Sequence, residues 1–431
     1  MKIKAITLFL AVMILTTQCV SSSISEQGIG SPMSPEEIAA LTSLELVHRM
    51  GAGWNLGNTF DAHWNRARQW ISNPSPTQQE TLWGNPVTTK AIIDKVKATG
   101  FDTIRVPVTW YIFTGPGPEY KIADAWLDRV QEVVDLVIDN GMFCILNTHH
   151  EDYLTGPNYQ NGWLRLYYKE GNDIRPFSDT EKQELHLRLG RLWEQIAERF
   201  KDYNEYLIFE GVNEPSTVDI GNITRDMWVE QSTLLNELMQ TFVDTVRAGG
   251  GKNTDRHLMV PPYFASVGMD PADREGRIRL FVDKENKKLW VNDTRGRLIA
   301  SLHYYEPWGF ATAPDNSQYF SSTFDLSKGP VSGNINNVIR VINENFVLNG
   351  IPVIMGETGA FRRDNISGHT AERVKWAEYY ISKLKELGVP SVIWDDGGGF
   401  KLLERSGSKP GWVYPDLAKA LVDASKTPIK K

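Results

Sequence analysis

Short apolar runs alternate along the chain with longer segments whose apolar residues recur at helical spacing. Eight of the short runs have the composition of β-strands. They lie at residues 51–56, 103–106, 142–147, 207–212, 257–260, 298–303, 352–356 and 391–394. Nearly every position in these runs is apolar, which is typical of a parallel sheet covered on both faces. The pattern therefore indicates an α/β fold.

The longer segments predict the helices that cover such a sheet. They include residues 88–98, 123–140, 179–200, 225–247, 335–345, 371–387 and 415–425. Eight strand and helix units in series favour a closed (β/α)8 TIM barrel over an open doubly wound sheet. We expect residues 35–431 to form this barrel as one domain, because we find no internal repeat and no linker to a second domain.

The barrel domain begins with a helix-start signal. Ser34 suits an N-cap, Pro35 the first helical position and Glu37 the third, which together form a capping box. We expect one helix from here to about Arg49, directly before the first strand. No Gly-rich dinucleotide fingerprint follows that strand, so a nicotinamide cofactor is disfavoured and no cofactor is expected.

Long connections follow several of the predicted strands. They span residues 58–86, 151–180, 263–297 and 304–333. In a barrel these loops build the catalytic face, and loops of this length usually serve function.

Polar residues recur where an apolar strand ends. Asn58 ends the first strand, Asn213 and Glu214 the fourth, and Glu357 the seventh. The others are Arg105 in the second strand, His149 and His150 after the third, His303 and Tyr305 after the sixth, and Trp394 in the eighth. Because these strand ends converge in a barrel, we expect one site.

Two carboxylates that face each other across the open end of a barrel are the groups with which most glycosidases cleave a glycosidic bond. One must be protonated to donate to the leaving oxygen, and the other must be ionised to attack or stabilise an oxocarbenium-like carbon. Glu214 and Glu357 are the candidates, and their surroundings would have to push their pKa values apart.

The strand-end motifs resemble those of glycoside hydrolase family 5, the cellulase family, and are most similar to its bacterial endoglucanase and xyloglucanase members. The likeness runs from about Thr42 to Tyr414 in the family's order. It is carried by Gly53-Trp54-Asn55-Leu56-Gly57-Asn58, Ile104-Arg105-Val106-Pro107, Asn147-Thr148-His149-His150, Phe209-Glu210-Gly211-Val212-Asn213-Glu214-Pro215, Ser301-Leu302-His303-Tyr304-Tyr305, Gly356-Glu357 and Val392-Ile393-Trp394-Asp395.

The resemblance implies an endo-acting, retaining hydrolase of β-1,4-glucosidic bonds in cellulose-type glucan, mixed-linkage glucan or xyloglucan. It implies that Glu214 is the acid/base and Glu357 the nucleophile, and that Arg105 and Tyr305 hold Glu357 ionised. It further implies that Asn213 binds the 2-hydroxyl of the sugar being cleaved. His149, His150 and His303 would complete the polar floor, and Trp394 would be the sugar platform.

Two features depart from the family pattern. Glu306 follows Tyr305, where it contacts sugar hydroxyls or, as we favour, is solvated. Asp395 and Asp396 follow the platform Trp394, and their charge is expected to raise the pKa of Glu214.

Alternative functions remain open at this point. The His149-His150 pair could indicate a metal, but no well-spaced third ligand is evident, so we expect no metal. The same barrel could act as an endo-β-mannanase or as a carbohydrate-binding protein that has lost catalysis.

The net charge and the aromatic content indicate which class of molecule the protein binds. The 431 residues carry a formal net charge of -7, and Lys and Arg are scattered. Nucleic acid is therefore an unsuitable partner, because phosphate binding needs a concentrated basic surface. The 14 Trp and 15 Tyr suit stacking on sugar rings. Several fall in the long loops, namely Trp64, Trp70, Trp83, Tyr153, Tyr159, Trp163, Tyr167 and Tyr168. They indicate several sugar subsites and cutting within the chain.

The N-terminal sequence has the features of a targeting segment. Residues 1–22 combine a basic start with a short apolar run and predict a signal peptide, and residues 23–34 predict a flexible Ser/Gly/Pro-rich tether. The apolar run is too short for a membrane span. We expect a secreted, periplasmic or cell-surface protein, monomeric, with cleavage close to Ser23. A lipid anchor at Cys19 is the alternative, although the residues before it depart from the usual lipobox.

Overall fold

The structure is a computed structural model that describes residues 33–63, 73–151, 162–170, 173–216, 224–268 and 271–430. The predicted signal peptide and all but the last two residues of the predicted tether lie outside these ranges. Within the described part of the chain, no helix combines the length and apolar content that a bilayer crossing needs.

Eight parallel strands close into a barrel in chain order, with the eighth strand paired to the first. The strands are Ala52–Asn55, Thr103–Val106, Phe143–Asn147, Leu207–Glu210, Leu258–Val260, Leu298–His303, Val353–Thr358 and Ser391–Ile393. All eight predicted strands are thus confirmed, with ends that differ from the predicted ones by at most two residues. The predicted (β/α)8 TIM barrel is confirmed with them.

Helices surround the barrel, and further short helices lie within its loops. The helices are Pro35–Ala40, Ser43–Arg49, Pro76–Glu80, Lys90–Thr99, Asp124–Asp139, Asp179–Arg199, Arg225–Ala248, Pro271–Phe281, Trp308–Ala311, Gly329–Asn345, His369–Trp376, Ser382–Glu386 and Pro415–Ala424, and Ala377–Ile381 is a π-helical turn. Short hairpins join Tyr168–Glu170 to Asp173–Arg175, Val282–Asp283 to Lys288–Leu289, and Leu403–Glu404 to Gly411–Trp412. The long connections after the strands therefore carry their own secondary structure.

The predicted single helix from residue 35 to 49 is wrong. Two helices form, because Thr42 begins a second capping box with Glu45 directly after the first. Leu41 between them is extended, with ψ at 139°. A side-chain cap at Thr42 satisfies the orphan amides of a new helix and so favours a turn over continuation.

The two short helices cover the amino ends of the strands. Their buried Ile38, Leu46 and Val47 pack in one cluster with Ile208 and Ile299 of the barrel interior. Arg297, just before the sixth strand, donates to the carbonyl of Ala39 at 2.7 Å. Each such buried aliphatic side chain stabilises the fold by roughly 1.5–3 kcal/mol. This end of the barrel is therefore sealed by apolar packing.

Side chains two residues further along the strands form a polar layer above that apolar one. Ile208 is followed by Glu210 and Ile299 by Ser301, with the intervening Phe209 and Ala300 in the outer cluster against the helices. Since side chains alternate along a strand, every second residue faces the barrel interior. The interior thus changes from apolar to polar towards the carboxyl ends of the strands.

Candidate active site

Arg105 lies at the centre of the polar layer and is fully buried. Its Nε donates to Glu210 at 2.7 Å, one terminal nitrogen donates to Asn55 at 3.0 Å and to Glu357 at 2.8 Å, and the other donates to Asn213 at 2.8 Å. Burial would lower the pKa of Arg105, but the charges of Glu210 and Glu357 raise it on balance. Arg105 therefore stays a cation and fixes four side chains from the ends of three other strands.

Glu214 and Glu357 lie close together across the mouth. One carboxylate oxygen of each lies within 4.8 Å of the other and of a His303 nitrogen. The Glu357 side chain is 6% exposed, whereas that of Glu214 is 29% exposed. Arg105 bonds one oxygen of Glu357 and the Tyr305 hydroxyl donates to the other at 2.8 Å. Glu357 is thus held at both oxygens, while Glu214 has access to solvent.

His303 joins the two carboxylates. Its Nδ1 lies 2.8 Å from Glu214 Oε1 and 3.8 Å from Glu357 Oε1. Burial lowers the pKa of His303, but the charge of Glu357 and the bond to Glu214 raise it on balance. The imidazole is therefore favoured as a cation between two acids.

The pKa values of the two glutamates move in opposite directions. Burial would raise the pKa of Glu214, but the hydrogen bond and charge of His303 lower it below the ordinary value. For Glu357, burial raises the pKa and the charge of Glu214 adds to this, although His303, Arg105 and Tyr305 oppose it. Burial and the charge of Glu214 thus oppose the ionisation of Glu357, whereas His303, Arg105 and Tyr305 favour it.

Asp395 and Asp396 do not act on Glu214 as predicted. Asp395 is fully buried, pairs with Arg405 at 3.1 Å and accepts from Trp54 at 3.0 Å. Asp396 accepts from the backbone amides of residues 398 and 400. The pKa of Glu214 is governed instead by burial, His303, Arg105 and His150. The two aspartates hold the loop after the eighth strand.

The other predicted site residues surround this centre. His149 stacks on Trp394, with ring centroids 5.7 Å apart, and its Nε2 lies 4.0 Å from Glu357. His150 Nδ1 lies 2.8 Å from the Asp61 carbonyl oxygen. Burial lowers the pKa of His150 to about 4 and that of His149 well below its ordinary value, so both rings are neutral.

Asn58 shapes the turn after the first strand through its backbone conformation and backbone hydrogen bonds. It has a positive φ of 55°, its amide donates to Asp61 at 3.1 Å, and its carbonyl accepts from Asn85 at 2.9 Å. This turn ends the first strand beneath the site. Gly57 before it is also required, because a Cβ there would lie 2.8 Å from the Trp394 ring.

Glu306 is half-buried and is not solvated as predicted. Its carboxylate accepts from the Trp308 amide at 2.7 Å, and its carbonyl accepts from the Trp376 indole at 2.8 Å. Glu306 therefore fixes the start of the loop after the sixth strand. Among the loop aromatics, Trp64, Trp70, Tyr153 and Tyr159 lie outside the described residues.

Sequence reasoning missed the residues that support the site from within the strands. Glu210 accepts from Asn147 at 3.0 Å and from Ser301, besides Arg105. Asn55 also donates to the Gly356 carbonyl at 3.0 Å. The available signal was their spacing, because Glu210 and Ser301 stand two residues after an inward-facing isoleucine.

Among the residues that the structure describes, two groups of side chains have the spacing of metal ligands. One is Glu214, His303 and Glu357, and the other is Asp61, His149 and His150. Arg105, Tyr305 and the bond between His303 and Glu214 account for the first group. In the second, Asp61 accepts from the amides of Asn58 and Thr59. Hydrogen bonds thus explain both arrangements without an ion.

Comparisons with known proteins agree on one family. Residues 64–398 match the profile of Cellulase (glycosyl hydrolase family 5). Endoglucanase B of Clostridium cellulovorans is 36% identical over 362 residues, covering 84% of this chain and 69% of that protein. A broad-specificity GH5-4 endoglucanase from Ruminococcus champanellensis, solved with bound cellotriose, is 38% identical, with a TM-score of 0.72 and coverage of 89% of this chain and 98% of its own.

A third relative binds the same oligosaccharide. It is a GH5 xyloglucan-specific endo-β-1,4-glucanase from a metagenomic library, solved in complex with cellotriose. It is 33% identical, with a TM-score of 0.71, and the match covers 88% of this chain and 98% of that one.

Proposed function

The chain belongs to glycosyl hydrolase family 5, the cellulase family, and we propose that Glu214 and Glu357 perform its chemistry by double displacement. The protein is an endo-acting β-glucan hydrolase, as its endoglucanase and xyloglucanase relatives indicate. The observation that carries the mechanism is the short separation of the two carboxylates.

A separation within 4.8 Å supports retention of configuration. Retaining glycosidases hold their carboxyl groups about 5–5.5 Å apart, whereas inverting ones leave about 6.5–9.5 Å for a water molecule. This separation is shorter than the one that an inverting enzyme needs to hold a water molecule between its carboxyl groups. One glutamate therefore attacks the sugar itself.

Glu357 is the nucleophile in this proposal. Arg105 and Tyr305 bond its two oxygens and stabilise the carboxylate form. Its deep burial removes competing water, and its fixed geometry suits attack on the anomeric carbon. The bond from carbon to the leaving oxygen breaks as the bond to Glu357 forms.

Glu214 is the acid and then the base. It shares a proton with His303 across 2.8 Å, so the pair can supply the leaving oxygen although the pKa of Glu214 itself is low. In the second step Glu214 takes a proton from water, which its partial exposure admits. That water replaces Glu357 at the anomeric carbon and releases product with the original configuration.

The remaining polar groups bind the sugar being cleaved. Asn213 is fixed through its oxygen by Arg105, which leaves its amide nitrogen to donate to the 2-hydroxyl. The neutral His149 and His150 form the floor, and Trp394 is the apolar platform. Bonds to the 2-hydroxyl strengthen in the transition state and so raise the rate.

Removing each glutamate separates the two roles. Glu357→Gly lacks the nucleophile, so azide in the vacancy should restore turnover and give the inverted glycosyl azide. Glu214→Gly lacks the base, so azide should attack the glycosyl-enzyme and give the retained adduct. An inverted adduct from Glu214→Gly would reverse the assignment, and α-configured first product from the wild type by NMR would exclude retention.

The substrate proposal is broad action on β-1,4-linked glucan, including xyloglucan and mixed-linkage glucan. The relatives with broad and xyloglucan-specific activity support it. Reducing-sugar assays on carboxymethyl-cellulose, mixed-linkage glucan, xyloglucan, β-mannan and xylan would rank these substrates. Turnover of β-mannan alone would favour the mannanase alternative, and release of glucose without a fast fall in viscosity would contradict endo action.

We further propose that the protein works outside the cytoplasm. Its substrate is a polymer too large to enter a cell, and the N-terminal sequence has the basic and apolar regions of a signal peptide. Mass spectrometry of native mature protein should show a start close to Ser23. A diacylglycerol on Cys19 would select the anchored form, and an intact Met1 would contradict export.

A further inference from the structure

Three aromatic rings from three different loops are in contact beside the nucleophile Glu357. Tyr305 follows the sixth strand, Phe361 the seventh and Phe400 the eighth. Phe400 contacts both other rings, with its centroid 5.2 Å from that of Tyr305 and 4.3 Å from that of Phe361. Tilted ring pairs at these distances attract each other beyond the area that they bury. The ring that donates to Glu357 is therefore packed against a phenylalanine that is only 8% exposed.

Two glycines leave the space in which these rings pack. A Cβ at Gly359 would lie 2.9 Å from Phe400 Cδ1, and a Cβ at Gly399 would lie 2.8 Å from Phe361 Cε1. Carbon atoms in good contact are about 3.5–4.0 Å apart, so any other residue at either position would displace a ring. The close approach of the backbone thus confines both phenylalanine rings.

The loop that carries Phe400 is fixed by hydrogen bonds. Asp396 accepts from the Phe400 amide at 2.9 Å and from the Gly398 amide at 2.7 Å. The Gly399 carbonyl accepts from the Arg362 amide at 2.8 Å, which joins this loop to the one after the seventh strand. Asp396, one of the two aspartates that depart from the family pattern, therefore holds the segment that presents Phe400 to Tyr305.

Tyr305 requires such support because its hydroxyl must meet one carboxylate oxygen of Glu357. It donates to that oxygen at 2.8 Å from the far end of the ring, and the residue lies in the loop beyond strand Leu298–His303. A hydrogen bond weakens steeply when its angle falls or its length grows, so a small rotation of the ring costs much of the bond. The contact with Phe400 restricts that rotation.

Phe400 can change the ionisation of Glu357 only by positioning another group, because its own side chain has no charge and no hydrogen-bonding atom. The ionisable groups around Glu357 are Arg105, Glu214, His303, the Tyr305 hydroxyl, buried Asp61 and the neutral His149 at 4.0 Å. Among these groups, Tyr305 is the one whose ring packs on Phe400. An effect of Phe400 on Glu357 should therefore pass through Tyr305.

We propose that Phe400 is a positioning residue for the reaction, which holds the Tyr305 hydroxyl against the nucleophile Glu357. This inference rests on the proposed function, because it takes Glu357 as the nucleophile. Phe400 acts through Tyr305 and makes no bond to the sugar. By keeping the hydroxyl in line with the carboxylate, it favours the ionised form that attacks the anomeric carbon.

The pH dependence of kcat/KM on an aryl β-cellobioside tests this role. Phe400→Leu keeps an apolar side chain but removes the flat ring face that restricts Tyr305. The acid limb should move to higher pH by about half a unit to one unit, which is part of the shift for complete loss of the hydroxyl bond. The loss of rate should appear in kcat rather than in KM, because no sugar contact is removed. Phe400→Met, with a flexible side chain, gives the same test if Phe400→Leu does not fold.

A double-mutant cycle separates positioning from a general loss of structure. In the Tyr305→Phe background the hydroxyl is absent, so Phe400→Leu should move the acid limb by less than about 0.3 unit further, the size of ordinary deviations from additivity. Equal shifts in the wild-type and Tyr305→Phe backgrounds would show that Phe400 acts independently of Tyr305. That result would overturn the proposal.

Phe143→Leu is the matched control. Phe143 is 4% exposed and packs on the Tyr206 ring at 4.9 Å and 41°, close to the 5.2 Å and 48° of Phe400 on Tyr305. This pair lies at the amino ends of the strands, where the Tyr206 hydroxyl donates to the Met33 carbonyl at 2.7 Å. The control should lower the free energy of unfolding but leave the acid limb in place. A shift as large as that of Phe400→Leu would show that lost packing alone moves the limb and would overturn the proposal.

The same profiles distinguish a failure of this inference from a failure of the proposed function. If Tyr305→Phe left the acid limb in place, Glu357 would not set that limb, and the inference would fail together with the assignment of the nucleophile. If Tyr305→Phe moved the limb but Phe400→Leu and Phe400→Met did not, only the positioning role of Phe400 would fail.

Discussion

The hydrogen bond from Tyr305 to Glu357 offers a sharp test of the electrostatics. Tyr305→Phe removes a hydroxyl that lies 2.8 Å from the carboxylate and leaves the ring in place. The bond lowers the pKa of Glu357, so its loss should raise that pKa further. A hydrogen bond to a charged group is worth about 1.5–3 kcal/mol, and one pH unit corresponds to 1.36 kcal/mol. The expected rise is therefore about one to two units.

The assay is the pH dependence of kcat/KM on an aryl β-cellobioside. This parameter reports groups of the free enzyme, and its acid limb follows the ionisation of the nucleophile. In Tyr305→Phe the acid limb should move to higher pH by about one to two units. Glu357 must be ionised to attack, so activity should be lost first at low pH.

Tyr304→Phe is the control for this experiment. Tyr304 is the buried neighbour of Tyr305, but its hydroxyl accepts from the Val267 amide at 3.2 Å. Its removal changes the same chemical group beside the site without touching Glu357. The acid limb should stay in place. If the limb also stayed in place in Tyr305→Phe, the assignment of Glu357 as the group that sets it would be refuted.

Three further changes probe the network. The His303→Asn variant keeps a hydrogen-bond donor near Glu214, but its side chain cannot be protonated as an imidazole can. The basic limb of the pH profile should therefore move to lower pH. An unmoved limb would show that the proton lies on Glu214 alone. Glu210→Ala should cost about 3–5 kcal/mol in urea unfolding, because it leaves buried Arg105 short of a counter-charge, and Glu210→Gln should cost less. Gly356→Ala places a Cβ 2.9 Å from His303 Nε2, so kcat should fall while circular dichroism stays native; unchanged kcat would show that His303 can shift freely.

The fold was largely predictable because its signal is local and repeated. Eight apolar runs and the helices between them were visible in the sequence, and the structure places them in barrel order. Polar residues at strand ends could be assigned to one site from that topology alone. The exception near Thr42 shows the limit, since two successive helix-start signals gave two helices where periodicity suggested one.

The residues that support the site were harder to predict, because their roles depend on the direction in which their side chains point. Glu210 lies within a strand, and only the barrel register shows that it faces Arg105 and Ser301. The same reason applies to the pKa values. The low pKa of Glu214 is caused by an imidazole 89 residues away in sequence, at a distance of 2.8 Å. Such a contact cannot be read from composition near Glu214.

The charge balance of the buried network explains why Glu210 belongs to the catalytic apparatus without touching substrate. When the proton that His303 and Glu214 share lies on His303, Arg105 and His303 carry two positive charges and Glu210, Glu214 and Glu357 carry three negative ones, which leaves one net negative charge. The transition state places positive charge on the anomeric carbon, so an excess negative charge in a water-poor site stabilises it. Without Glu210 the network would be neutral, and Arg105 would oppose that charge. The strand position that holds Arg105 rigid therefore also sets the potential at the reacting carbon.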